Sequence, residues 1–501
     1  MRLGRKHENQ TSVVYKDFTG GLNTAIAADG IAENQMAECV NLEIDHSTGQ
    51  LKTVGGTRDI AAVQSGDIFA AAWDSINDRL LLVLSDRTVH DVRLPDAMIQ
   101  SIGKLTGDLY PSYAAWENGV LIASGGKLQY YNGTELLTID SPKATSVFVR
   151  GGRVLITDAA NVYYSGVGDE TNWTENSNDD SASKFVEAGY KDGGSFIGMA
   201  SLSSDIMLIK SNRRVYRLSG EFPDWSISEV SRNVDCKGRM AFCSVADSVF
   251  ILGHTEMQML RTTEAYGDVM PQNMATLVER EIAQLPDATI VRHVPPLRQV
   301  WAIGEGGTVL VYDLAVNAWF LRKFNSQVLD VVSVKDKVYV VKRDRVSVIT
   351  ESTFFDAGEP LSWKFRARRL ISQHEYLLKR SQVSIAPLTA DLYSGYMRCG
   401  AVIVPLPLPA WRVRIWHNYS KIYKNHVRIL LKGRNRGRYL KGELIYDNME
   451  PVYGNKVKIF TVQTIIKESR NVFRSKFLDL RGRGEMGGFV LNHIIMDIAE
   501  V

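Results

Sequence analysis

The densest cluster of chemistry-bearing side chains lies between Lys421 and Lys441, where the chain reads KIYKNHVRILLKGRNRGRYLK. This segment carries eight Lys/Arg and no acid. Lys432, Arg434, Arg436 and Arg438 alternate around Gly433 and Gly437, with Asn435 between them. Gly and Asn are residues of tight turns, so the pattern predicts a hairpin tip projecting four cations with little apolar cover. Such a tip suits phosphate oxygens or an acidic partner surface. The competing reading is a solvated loop that keeps the chain soluble. Tyr419, Tyr423 and Tyr439 could stack on bases, and serve equally well as core aromatics on strand faces.

Elsewhere the residue types of catalysis are present without their spacing. There is no Gly-x-x-x-x-Gly-Lys-Ser/Thr loop, no Gly-x-Ser-x-Gly elbow and no His-Glu-x-x-His helix. The nine histidines are dispersed, with no pair at metal-ligand spacing. The acidic run from Asp169-Glu170 to Asp179-Asp180 lacks the glycine turn and closing bidentate glutamate of a calcium loop. It reads as a solvated loop. Cys39, Cys236, Cys243 and Cys399 form neither a disulfide framework nor Cys-x-x-Cys pairs, and read as interior thiols. No catalytic residue, cofactor or metal site is assigned, and the chain is expected not to be an enzyme. The enzymatic alternative is a propeller glycosidase or depolymerase acting on surface polysaccharide. That chemistry needs two carboxylates at a set separation.

The elements that would position such groups follow from composition and repeats. The 501 residues are 45% hydrophobic and 23% charged, which excludes wholesale disorder and a membrane bundle. No apolar run approaches the ~20 residues of a spanning helix. The opening MRLGRKHENQTS lacks the apolar core of a secretory signal, so synthesis in a cytosol is expected. The net charge of +3 conceals an imbalance. Leu361–Val501 holds 25 Lys/Arg against 10 Asp/Glu; the residues before it hold 34 against 46. That swing marks a boundary near residue 360. It also gives the C-terminal part a negative partner: phosphate backbone, an acidic subunit or an anionic membrane.

Seven segments align with one another, each a short strand, a tight turn, a stronger apolar strand, another turn and a third strand. AAWDSINDRLLLVLSDRTVHDV and VVSVKDKVYVVKRDRVSVIT are two of them. The central strands begin near Leu80, Val120, Val154, Ile206, Val249, Val300 and Val338, in steps of 34 to 52 residues. A meander of this size cannot bury both faces alone, and radial stacking solves that. The expected fold is all-β: a seven-bladed β-propeller over 60–359 with an additional C-terminal antiparallel β-domain. Residues 1–59 form an N-terminal segment joining the propeller or a neighbouring domain. Residues 360–501 form a basic sandwich or barrel-like domain. Its expected strands are Trp363–Ile371, Arg380–Ile385, Arg412–Trp416, His426–Leu431, Val457–Val462, Phe473–Leu478 and Phe489–Met496, with Pro405, Pro407 and Pro409 in an extended connection. Met274, Leu277, Val278 and Ile282, with Pro271 ahead of them, predict a helical insertion near 271–284. Unrelated hairpins in two sandwiches are the alternative architecture.

Asp17–Thr57 reads DFTGGLNTAIAADGIAENQMAECVNLEIDHSTGQLKTVGGT. With Phe18, Gly20-Gly21-Leu22-Asn23, Glu33-Asn34-Gln35, Asn41, Gly49-Gln50-Leu51 and Gly55, it resembles the opening of tail hub/nozzle proteins of short-tailed bacteriophages, the packaged-DNA stabilisation family. Val162–Trp173, Phe196–Gly220, Lys237–Gly253 and Val300–Trp319 are similar to elements of that family in the same order, and Arg481–Ile498 resembles its closing strand pair. Val54 before Gly55-Gly56 departs from the pattern, which has Arg there. The resemblance implies a structural virion protein that forms a ring, a hexamer, below portal and adaptor proteins and beside tail fibres or spikes. Such a ring retains packaged double-stranded DNA and conducts it, without sequence specificity, at ejection. It implies no catalytic residue. A protein-binding scaffold propeller remains a further alternative.

Overall fold

The computed structural model describes residues 10–94, 97–176, 178–220, 224–262, 268–387, 394–399, 402–405, 422–423, 426–435, 438–447, 460–466, 474–478, 480–485 and 489–500. Beyond residue 371 its side chains are described at Ser384, Leu480, Arg481 and 489–498. The chain forms two compact units: Asp59–Leu310 with Ser326–Ile349, and Met1–Arg58 with Val311–Asn325 and Thr350–Val501. Both are β-structures.

The first unit is a succession of antiparallel meanders, four-stranded wherever the whole sheet lies in it. The second strand of each is buried: Arg79–Leu84, Gly119–Ala123, Arg153–Asp158, Asp205–Lys210, Ser248–Leu252, Gln299–Ile303 and Lys337–Lys342. These are the strands expected from the repeats. They read as apolar runs rather than alternations because both faces meet a neighbouring sheet. Leu80 and Leu82 pack with Val341 and Val346, while Leu81 and Val83 pack with Val120 and Ile122. Each such side chain contributes roughly 1.5–3 kcal/mol when fully buried.

Turn chemistry sets the spacing. After Ile68–Asp74, the Asp74 carboxylate accepts hydrogen bonds from the Ile76 and Asn77 amides at 2.9 and 3.1 Å. Asp78 takes φ 56°, and the chain re-enters the sheet at Arg79. From Ser112–Trp116 onward the first strands of successive sheets lie side by side, Val328–Val334 meets Ile68–Asp74, and Ala70 packs with Val120 and Ile122 of the second sheet, so the series closes on itself. The last sheet is completed from the other end of the chain. Gly56–Ala62 is its fourth strand, beyond Arg345–Thr350. Asp59 accepts bonds there from Ser347 Oγ at 2.6 Å and Arg345 Nη1 at 3.0 Å. Without that strand Arg345–Thr350 would be an open edge.

The expected helix at 271–284 is corrected to one turn. Val269–Asn273 is an exposed edge strand, and the helix spans only Glu279–Ala283. Pro271 stands opposite Leu260 in that edge strand, where its missing N–H disturbs no further ladder.

In the second unit Gln35–Val40 pairs antiparallel with Ser362–Ala367 and meets Ala318–Lys323 in parallel at Val40–Leu321. The motif residues between Phe18 and Gly55 make these contacts possible. Phe18 is buried edge-on against Phe365. Gly21 has φ +63°, and a Cβ there would stand 2.6 Å from the Trp319 carbonyl oxygen, so only glycine fits. Asn23 Nδ2 donates to Gln35 Oε1 at 2.8 Å. Asn41 Nδ2 donates to the carbonyls of Lys323 and Ser362 at 2.9 and 2.7 Å, and its Oδ1 accepts from the Lys323 amide at 2.7 Å.

A second sheet of this unit runs, in order, through Leu42–Asp45, Gln50–Thr53, Phe489–Glu500, Leu370–Pro387, Phe460–Ile466, Arg438–Asp447, His426–Asn435 and Ile422–Tyr423. Gln10–Tyr15 pairs with Phe489–Glu500, so both ends of the chain share one sheet. The expected strands at 363–371 and 380–385 divide differently: Ser362–Ala367 is one strand, and Leu370–Pro387 is a single long one. Leu480–Glu485 and Phe489–Glu500 do not pair with each other. The first joins Ser362–Ala367 and the second joins Leu370–Pro387. The expected strand Arg412–Trp416, Pro407 and Pro409 lie outside the described residues.

Candidate functional site

At the centre of the closed series of sheets is a cavity of about 440 Å³. Ala71, Tyr113, Ser146, Met199, Cys243, Arg292 and Ser333 each bring it a side chain from the first strand of a different sheet. Among the described residues lining it there is no Asp or Glu. This is therefore an axial site, assembled by the fold from positions spread over most of the first unit.

One carboxylate lies just behind the lining. Asp330 is fully buried in the strand Val328–Val334. Arg292, on Ile290–Val294, donates to it twice, Nε to Oδ1 at 2.9 Å and Nη2 to Oδ2 at 3.1 Å. Tyr110 Oη donates to Oδ2 at 2.5 Å, and the Val331 amide to Oδ1 at 2.8 Å. A fork-to-fork pair of this kind is strong and directional. Burial pulls the Arg292 pKa down, but the Asp330 charge, the neighbouring Tyr110 and the hydrogen bonds to Asp330 together outweigh it and hold the guanidinium above its ordinary value. Burial and the same carboxylate push the Tyr110 phenol well up. The clasp stays ionised at Arg292 and protonated at Tyr110, so it is a structural tie rather than an acid–base pair.

Arg239 is the unbalanced member. Its Nε donates to the Tyr110 carbonyl oxygen at 3.0 Å, while Nη2 is buried with no hydrogen-bond partner. Burial pulls its pKa down to about 10, and no carboxylate among the described residues counters that. The hydroxyls of Tyr113 and Ser333 are likewise buried without a partner. Burial pushes the Cys243 thiol up to about 12 and the His293 imidazole down. At neutral pH the axis therefore carries one ion pair, one uncompensated cation and several neutral polar groups.

The basic hairpin predicted from sequence lies on the second unit. His426–Asn435 and Arg438–Asp447 pair with Lys432 opposite Lys441, Arg434 opposite Tyr439 and Asn435 opposite Arg438. Arg436 lies outside the described residues. In the acidic run, Asp169 and Asp179 are occupied by local turns: each accepts backbone and hydroxyl bonds, from Thr171 and Ser181 respectively. Cys39, Cys236 and Cys243 are free thiols, and burial raises the pKa of each. No metal-binding group of His, Cys, Asp and Glu occurs among the described residues.

Sequence reasoning missed the axial residues. Their signal was present: Arg292 in IVRHV and Asp330 in VLDVVSV stand inside strands that are otherwise mostly apolar.

No family model and no curated protein matches the chain. Solved structures with partial likeness include YCF48 bound to a D1 peptide, at 10% identity and a TM-score of 0.40, covering 59% of this chain and 97% of that one. The Neurospora crassa Pan2 WD40 domain is similar at 11% identity and 0.40, covering 58% and 94%. The Myceliophteria thermophila Cps50 (Swd1) β-propeller domain is similar at 9% identity and 0.42, covering 59% and 100%.

Proposed function

We propose that the chain is a protein-binding scaffold: a seven-bladed β-propeller joined to a second β-module, acting by holding partners rather than by turning over a substrate. The observation that supports this is the axis. A glycoside hydrolase needs two available carboxyl groups across one cleft. Here the lining carries cations and hydroxyls, and Asp330 behind it is consumed by Arg292 and Tyr110. The test is turnover on bacterial surface polysaccharides, with the expected result no activity above background. Hydrolysis abolished by a single Asp or Glu change would overturn the reading.

A narrower reading rests on the ordered motifs from Asp17 to Ile498 and on the charge division near residue 360. In it the partners are those of a short-tailed phage tail: further copies in a ring of six, portal and adaptor proteins, tail fibres or spikes, and double-stranded DNA in the lumen. A basic part facing an acidic part of the next copy makes a head-to-tail contact, and such contacts close into rings. Lys432, Arg434, Arg436 and Arg438 would then meet phosphates, or an acidic neighbour. Negative-stain imaging of the full-length protein tests it: rings are expected, and monomers at micromolar concentration overturn it.

A further inference from the structure

We propose that the insertion at 165–183, with the edge strand Lys184–Glu187 that follows it, docks on the basic C-terminal part of a second copy of this chain, with Phe185 as the apolar anchor. The inference rests on the ring reading above and assigns the acidic side of its contact. The third sheet of the first unit departs from its neighbours in one connection. Nineteen residues stand between its third and fourth strands, Asn161–Tyr164 and Lys184–Glu187. Four to six separate the same strands of the first, second, fourth and fifth sheets. A connection that long, without strands or helices of its own, is generally functional or disordered. This one is pinned. Arg153, buried in the second strand, donates to the carbonyl oxygens of Ser165 at 2.6 Å and Ala182 at 2.9 Å, and to that of Asp180. Trp173 Nε1 donates to the Glu170 carbonyl oxygen at 2.7 Å, and Trp116 Nε1, from the neighbouring sheet, to the Glu170 carboxylate at 3.0 Å. The fold shapes the loop before a partner arrives, which spares the contact an ordering cost.

The surface of this insertion joins exposed apolar groups to one sign of charge. Val167 is 55% exposed and Phe185 47%. The Phe185 ring lies 5.6 Å, centroid to centroid, from Tyr163, which with Trp173 packs partly buried against Trp116, Val147 and Val154. An exposed ring backed by a fixed aromatic cluster is the form that interface hot spots take. Around it, Ser165–Glu187 holds six Asp/Glu against Lys184 alone, and that lysine is paired with Asp180 at 2.9 Å. Asp169, Glu175, Asp179 and Glu187 are exposed. Bonds from Thr171 and Ser181 hold the Asp169 and Asp179 carboxyls below their usual range, so both are charged at neutral pH. Such a surface selects a partner with apolar residues set among cations. This chain carries one: Leu361–Val501 has 25 Lys/Arg against 10 Asp/Glu, and runs such as HVRILLK at His426–Lys432 place apolar residues between the cations. A second copy supplies that part at equal stoichiometry, in the head-to-tail sense that closes a ring.

The test is photocross-linking of the full-length protein carrying Phe185→p-benzoylphenylalanine. Unlabelled and heavy-nitrogen-labelled material are mixed in equal amounts, irradiated and digested, and mass spectrometry reads which chains are joined. Links from position 185 of one isotope to peptides of Leu361–Val501 of the other are expected. In sedimentation velocity, Phe185→Ser should weaken self-association about 10-fold or more, the effect of truncating an interface anchor. The double variant Glu175→Lys, Glu187→Lys should weaken it by a similar factor, and wild-type association should fall as salt rises. These positions are on the surface, so each variant should melt within about 2 °C of the wild type. Links confined to one isotope, links to 1–360 of the other copy, or undiminished association of Phe185→Ser would each overturn the inference. Where rings still form in negative stain, those outcomes remove this surface and leave the ring reading standing. Monomers alone at micromolar concentration overturn both.

Discussion

Asp330→Ala removes the anion on which two other sheets converge. In the wild-type protein the carboxylate is wholly buried and accepts bonds from Arg292 at 2.9 and 3.1 Å and from Tyr110 at 2.5 Å. Truncation leaves the Arg292 guanidinium, whose side chain is only 21% exposed, without its counter-charge. Breaking a buried pair from one side costs about 3–5 kcal/mol. The abandoned Tyr110 hydroxyl adds up to about 1–3 kcal/mol, less whatever the two share. The expected loss is about 4 kcal/mol, or ~8–16 °C in Tm at ~2–4 °C per kcal/mol for a unit of this size. Urea denaturation followed by tryptophan fluorescence measures it, with Trp301 as a buried reporter. Arg292→Met alone should also destabilise, because it strands the carboxylate. The double variant should be more stable than the sum of the two singles by at least about 1.5 kcal/mol, the signature of a coupled pair. A single-variant loss under 1 kcal/mol, or strict additivity, would refute the idea that the clasp ties the sheets together.

Asn41→Ala deletes three side-chain bonds to Lys323 and Ser362 and leaves an alanine at φ 55°. It should destabilise the second unit by about 3 kcal/mol, read as earlier cleavage in limited proteolysis. Asp192 opposes its own burial through bonds from Lys210 at 2.6 Å, Gly194 and Tyr216, which hold its pKa down to about 2. Its folded-state pKa lies below the unfolded one, so its contribution of about 2 kcal/mol is present above pH 4 and is lost as pH falls toward 2. Asp192→Asn should flatten that acid limb of the Tm-versus-pH curve, and an unchanged limb counts against the assignment. On the narrower, phage-tail reading proposed above, changing Lys432, Arg434, Arg436 and Arg438 together to Ser should lower the salt slope of double-stranded DNA binding by roughly one unit per lost phosphate contact, equally for any sequence. An unchanged slope with failed particle assembly assigns the hairpin to a protein partner instead.

The parts of the fold legible in the sequence are those where local pattern and tertiary environment agree. Runs such as LLLVL and VYVVK announce strands covered on both faces, and turns such as DSIND carry their own hydrogen-bond acceptors. The misplaced helix shows the opposite case. Val278 and Ile282 are buried as a helical stripe requires, but Pro271 and Met270 belong to an exposed edge strand whose pairing with Met257–Thr262 outweighs the local periodicity. The sharing of one sheet by Gln10–Tyr15 and Phe489–Glu500 leaves no trace in either segment taken alone. Pairing between chain ends is set by what the intervening residues have already built.

The axial site was illegible for a related reason. Tyr110 and Asp330 are 220 residues apart, and Arg292 is 38 from Asp330, so no spacing rule could join them. A closed ring of sheets brings the first strand of every repeat to one axis, and a charge in one repeat then meets a charge from another. Membership of a first strand, not distance along the chain, joins Arg292 to Asp330, although they stand two and four residues before their turns. Aligning the first strands by their step into the second puts Ser112–Trp116, Phe242–Val245, Ile290–Val294 and Val328–Val334 in one frame. Polar residues in that frame converge whatever their separation. The motif around Gly21 and Asn41 behaves differently: its residues are close in sequence because they make a local clasp, and their contacts are occupied by backbone of the same unit. Conspicuous motif residues are thus committed to holding the chain together, while the inconspicuous Arg239 keeps a donor free.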